Sequence, residues 1–189
     1  QFMKRRDFCK TTGSILLAWG INPTTAFSNT KNKVLSGQLL VNNKLEAGSF
    51  ENLDNALVTT QNSNVIVKVE NDVFLIRPNT KLKFTLNKIN EIIKGSFHGV
   101  FGKREEELLI KTPSGTIGIR GTAIYTDIDP QKKSYLLCNC AGQAVFYGND
   151  KKLLKSLNGS HSVITITDQK ITNASTFKHE AVPKKFRNK

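Results

Sequence analysis

Aromatic side chains are scarce in this 189-residue chain, at 8%, and eleven are phenylalanine against three tyrosines and one tryptophan. Most of the phenylalanines fall in apolar strand positions, so a platform on which successive nucleic-acid bases stack is missing. Long hydrophobic runs are absent too: no stretch reaches the ~20 apolar residues that a membrane-spanning helix needs. Acidic residues number fifteen against twenty-eight basic ones, for a formal charge of +13. The bases are spread along the chain and form no arginine-rich tract, which suits a solvated lysine-rich surface with a nonspecific attraction to anionic polymers or lipid. No arrangement of serine, histidine and acid suggests itself, and no paired carboxylates sit on converging strands. Glu105, Glu106 and Glu107 are consecutive and scatter their groups. Gly115-x-x-Gly118-x-x-Gly121 has the wrong spacing for a dinucleotide fingerprint, and no helix pattern follows it. The chain is read as a non-enzyme.

The amino terminus belongs to export. After Met3, the residues Arg5, Arg6, Phe8 and Lys10 are similar to the twin-arginine motif R-R-x-F-x-K, and a weakly apolar run from Ser14 to Ile21 follows. Thr24-Thr25-Ala26 offers the small residues that a signal peptidase reads, so residues 1–26 are expected to be a signal peptide cleaved after Ala26. That resemblance implies a bacterial periplasmic protein, folded before transport, because the twin-arginine pathway carries folded passengers.

Beyond a polar flexible leader (27–36), the chain settles into short β-branched and aliphatic runs separated by turn residues such as Asn62-Ser63-Asn64, Asn71-Asp72 and Asp129-Pro130. Many short strands at near-regular spacing predict an all-β fold, a sandwich or flattened β-roll in a single domain. Residues 86–94 fit a helix or a strand equally, since Leu86, Ile89, Ile92 and Ile93 have helical spacing but β-branched side chains. Residues 103–107 read as a solvated charged loop and 151–157 as a short helix. A C-terminal β extension (149–182) precedes a disordered basic tail (183–189).

One segment is more specific. Thr112, Pro113, Gly118, Ile119, Arg120, Gly121, Thr122 and Ile124 follow the order T-P-x-x-x-x-G-[IV]-R-G-T-x-[FIY]. Glycine inside a strand costs stability unless another segment approaches closely or the strand bends, so close cover is expected at Gly118 and Gly121. The pattern resembles the core signature of the FecR domain. The likeness extends over 37–148, through the Ala47-Gly48 turn and the 57–60 and 73–76 strands to a closing hairpin from Ser134 to Phe146. It implies a periplasmic ligand-sensing or protein-contact domain, tied to no one reaction. Gly118, Arg120, Gly121 and Thr122 then form a ligand-binding or structural signature. Arg120 either cradles an anion or locks a bulged strand, with Asp127 and Asp129 as candidate partners. Family members that regulate iron uptake add a membrane helix and a segment that holds a sigma factor; this chain is read as a stand-alone sensor, scaffold or accessory subunit. Its partner would be an envelope protein, docked on residues 73–76 or another exposed sheet edge, with an anionic envelope polymer as a further candidate and no nucleic acid.

The remaining chemistry lies in Cys138-Asn139-Cys140. On a strand both sulfurs face the same neighbours, with Cα atoms ~6.6 Å apart, at the outer edge of disulfide geometry. Three readings stand: two buried structural thiols, a disulfide, or a metal, haem or redox site, which needs a further ligand. Within FecR-like proteins a Cys-x-Cys accompanies a subset with histidines downstream, and the resemblance makes His161 the third ligand. His98 and His179 read as surface residues. The leading reading is a non-catalytic binding domain without cofactor; the rival is a metal, haem or redox protein built on Cys138, Cys140 and His161.

Overall fold

A computed structural model describes residues 32–167, 170–174 and 178–187. The expected signal peptide, with Arg5, Arg6, Phe8 and Lys10, lies outside the described residues, as do 27–31 of the expected leader and 188–189 of the tail.

Among the described residues the chain forms seventeen strands, numbered in chain order, and one helical turn. The long strand β9 (Lys88–Val100) belongs to two sheets. Its first half pairs with β8 (Lys81–Thr85), and its second half pairs with β7 (Asp72–Ile76) and β12 (Ala123–Asp129). The first sheet runs in the order β4 (Ser49–Phe50), β1 (Asn32–Ser36), β6 (Val65–Val69), β7, β9, β12, β13 (Ser134–Ala141), β16 (Ser162–Thr167) and β17 (Lys170–Asn173). The second runs β3 (Lys44–Glu46), β2 (Leu39–Val41), β5 (Ala56–Thr59), β8, β9, β10 (Leu108–Thr112), β11 (Gly115–Ile119), β14 (Gln143–Tyr147) and β15 (Leu153–Asn158). Every pairing is antiparallel except β9 with β10. The expected all-β architecture of many short strands is therefore present.

The crossing happens at Gly95, where φ is +89° and a Cβ would stand 2.5 Å from the Thr80 Cα. Only glycine fits that corner. The Thr80 hydroxyl completes it by donating to the Ser96 carbonyl and accepting from the Ser96 N–H, both at 3.1 Å. Folded over in this way, the inner faces of the two sheets share one apolar core. Phe74 sits at its centre, edge-on to Phe84, Phe97 and Phe101 with centroids 5.9, 5.9 and 5.4 Å away. Edge-to-face pairs of this kind add about 0.5–1.5 kcal/mol each beyond the area they bury.

Several expectations are corrected. Residues 32–36 are no leader: they form β1, paired with β4 and β6 and buried at Val34. Residues 88–94 are strand, and Leu86 and Asn87, both at positive φ, make the two-residue turn that starts it. Residues 153–157 belong to β15 and not to a helix. The tail holds a helical turn, α1 (Lys184–Arg187), behind the fully buried Val182. In the charged loop Arg104 turns inward onto the buried Asp72, 2.6 Å away; burial raises the Asp72 carboxyl while Arg104 opposes that shift. Finally, β7 is paired on both sides and buried along its length, so residues 73–76 offer no docking edge.

Truncating the central ring tests this core. Phe74→Ala is expected to lower stability by about 3–5 kcal/mol, read from urea unfolding.

Candidate metal centre

The outer face of the first sheet carries a row set by strand register. Leu75 lies opposite His98, His98 opposite Tyr125, Tyr125 opposite Cys138, and Cys138 opposite Val163. Alternation sends Leu137 and Ile124 into the core and leaves this row pointing away from it.

At the end of β13 the alternation breaks. Ile124 faces Asn139 and Ala123 faces Ala141, so Cys140 is the extra residue of a β-bulge. A bulge bends its strand and re-aims a side chain. Here it brings the Cys140 Sγ to 3.7 Å from the Cys138 Sγ, with no disulfide between them. The residue between them is pinned from the opposite side. Asn139 is fully buried; its amide nitrogen donates to the carbonyls of Gly142 (2.8 Å), Gly159 (2.7 Å) and Leu157 (3.3 Å). Its oxygen accepts from the Thr122 hydroxyl at 3.0 Å.

Three histidines complete the cluster, and the chain has only three. His98 comes from β9, His161 from the turn before β16 at φ +59°, and His179 from the segment after β17. Donor atoms of Cys138, His161 and His179 lie within 4.8 Å of one another, as do those of His98, Cys140 and His179. His179 is common to both groups. Its ring stacks on Tyr125 with centroids 4.5 Å apart and an 11° tilt. The Nδ1 lies 3.1 Å from the Glu180 carbonyl, an acceptor only, so Nδ1 carries the proton. The other ring nitrogen, Nε2, faces the Cys140 Sγ at 3.1 Å. Ligating histidines commonly have this arrangement, the second ring nitrogen being held by a carbonyl.

His98 is the reverse case. Its Nδ1 accepts the Val182 N–H at 3.2 Å, which leaves the proton of the neutral ring on Nε2. Burial is the main reason its pKa falls to about 4, with the nearby His179 and Arg187 charges adding to it, so the ring stays neutral. It therefore presents a donor to its neighbours and is the poorest ligand of the three. The Cys140 hydrogen bond, helped by those of His161 and His179, holds the Cys138 thiol below the ordinary range against the effect of burial. Cys140, which supplies that hydrogen bond and is itself desolvated, is pushed up. One thiolate and one thiol share the proton, as expected of two adjacent sulfurs that cannot both ionise without a counter-charge.

The donors suit a soft ion. Two thiolates on zinc at about 2.3 Å each stand ~3.8 Å apart in a tetrahedron, close to the sulfur spacing here. Cys138, Cys140 and His161, singled out in the sequence, are brought together. His98 and His179, read as surface residues, join them and correct that reading. His98 was legible only through the register of β9 against β12, and His179 only through the path of a segment without periodicity.

The signature residues have other neighbours. A Cβ on Gly118 would meet Glu107 and Val145 at 2.7 Å, and one on Gly121, at φ +76°, would meet the Lys103 backbone at 2.8 Å. Arg120 is exposed and makes no ion pair among the described residues; Asp129, a candidate partner, pairs instead with Lys132 at 3.2 Å. Thr122 alone reaches the centre, through Asn139.

No protein-family profile matches the chain, and no curated protein matches it by sequence. Solved structures do. Two crystal structures, each of "a putative anti-sigma factor" from Parabacteroides distasonis ATCC 8503, superpose with TM-scores of 0.55 and 0.53 at 8% and 9% identity. The matches cover 64% and 62% of this chain and 59% and 58% of those chains. At that identity the likeness is one of fold. Among the described residues no helix is long and apolar enough to cross a membrane.

Removing the Asn139 amide strips partners from three carbonyls and from the buried Thr122. Asn139→Ala is expected to cost about 3 kcal/mol in urea unfolding, and Thr122→Val about 1 kcal/mol.

Proposed function

We propose that this chain is an exported, non-catalytic sensor or scaffold domain of the FecR-like kind, and that what it senses is a soft transition-metal ion. The ion would be held by Cys138, Cys140, His161 and His179, with His98 orienting the site. One observation carries the reading: all three histidines of the chain gather around the Cys138–Cys140 pair, from segments far apart in sequence. Two sulfurs and two imidazoles form the donor set that selects zinc or copper(I) over hard cations.

The sensor half of the proposal draws on the signature residues and on the fold shared with the two anti-sigma structures. A protein partner in the cell envelope follows from that reading, as does periplasmic location from the twin-arginine motif. The bulk of the positive charge stays a solvated surface.

Purification under reducing conditions, followed by elemental analysis and zinc titration, tests the centre. One equivalent of zinc or copper is expected, with affinity falling about 100-fold or more in Cys140→Ser and in His179→Ala. His98→Gln is expected to fall less, within the ~10–100-fold typical of outer hydrogen-bonding groups. A chain that neither carries nor takes up either metal, or that binds equally well without His179, sinks the reading. A Soret band in place of these metals would transfer the site to haem.

A further inference from the structure

Part of the outer face of the first sheet is covered by a segment beyond β17. Residues 178–187 lie over that face as a strap. Val182 is fully buried against Ile66, Val73 and Leu75, with Phe186 packed beside it. Its N–H reaches His98, and its carbonyl accepts from the Arg187 Nε at 2.8 Å, which closes α1. Glu180 ion-pairs with Arg77 and accepts from the Asn64 amide at 3.1 Å. Three residues before Val182, the same strap delivers His179 to both sulfurs' surroundings.

The other donors stand on a different footing. Cys138 and Cys140 belong to β13 and His161 to the turn leading into β16, so they are fixed by the sheet whether or not the strap is present. His179 is the donor that moves if the strap moves. Apart from His179 itself, whose ring stacks on Tyr125, the strap is held by one buried valine, a flanking phenylalanine, a surface ion pair and hydrogen bonds. Segments held so lightly open at the low end of a protein's local stability.

Resting on the metal reading above, we infer that the centre is a latch: an ion bound through His179 holds residues 178–187 on the first sheet, and its loss lets the strap lift and bares the strip of Ile66, Val73 and Leu75. An open strap costs the ion a ligand, so binding and docking reinforce each other. If the open form has no affinity, an ion at 100 times its dissociation constant makes opening ~100-fold rarer. Linkage requires the converse, that docking the strap raises the ion's affinity by the same factor by which the ion favours docking, so a variant that opens the strap binds the ion more weakly.

Hydrogen exchange of the purified chain with and without zinc reads both directions. Amides of residues 178–187 are expected to exchange about 10–100-fold more slowly with zinc, and to lose that dependence in His179→Ala. Val182→Asp touches no donor atom, yet is expected to lower zinc affinity by about tenfold or more. Glu180→Ala buries no charge and is expected to shift affinity in the same direction by less, which keeps the test open if Val182→Asp folds poorly. Stoichiometric zinc with unchanged strap exchange overturns the latch and leaves the metal site standing. Unaltered zinc affinity in Glu180→Ala together with Val182→Asp overturns it as well. Failure to bind either zinc or copper(I) rejects the metal reading first and the latch with it.

Discussion

The buried amide of Asn139 decides where the two sulfurs stand. Its side chain points into the molecule and gathers the carbonyls of Gly142, Leu157 and Gly159, so the backbone on either side cannot drift. Because it is so fixed, the bulge at Cys140 is a fixed bulge, and the outward positions on either side of Asn139 belong to thiols. Interior dielectric makes such a hub strong when satisfied and expensive when broken, which favours one arrangement over many. Thr122, the last residue of the glycine-arginine-glycine-threonine run, supplies the fourth partner. That contact connects the chain's most distinctive sequence segment to its most reactive one.

Much of the fold was legible because a sheet writes itself in period two. Asn71-Asp72 read as turn residues between short strands, and β6 and β7 pair across that turn. Where the reading failed or stayed open, tertiary context decided over local pattern. Residues 86–94 carried helical spacing and β-branched side chains together, and pairing with β8 chose the strand. Residues 32–36 look too polar for a core element, yet Asn32 is buried with its amide bonded to the Glu51 carbonyl and to Asn87. Apolar content in 73–76 suggested a sticky edge; it belongs to an interior strand covered on both faces.

The candidate centre was half legible. Cys138 and Cys140 announce themselves by type and spacing, and His161 by its place shortly downstream. His98 sits in a strand whose partners are set by the fold, and His179 lies on a segment with neither periodicity nor motif. No local window contains that information. Arg120 shows the opposite failure: a residue conspicuous in sequence that stands exposed without an ion pair among the described residues. Its flanking glycines are explained by crowding from Glu107, Val145 and Lys103.

The distribution of donors along the chain has a thermodynamic corollary. In finger-type modules the ligands are near neighbours in sequence and the ion nucleates an otherwise unfolded peptide. Here β9, β13, the turn before β16 and the strap must already be in place before their donors meet. Under the metal reading, ion capture would follow the folding of the sheets and would not nucleate it. On that reading, lesions far from the sulfurs that merely loosen the sandwich would register as poor metallation, and a loaded centre would report a completed tertiary structure.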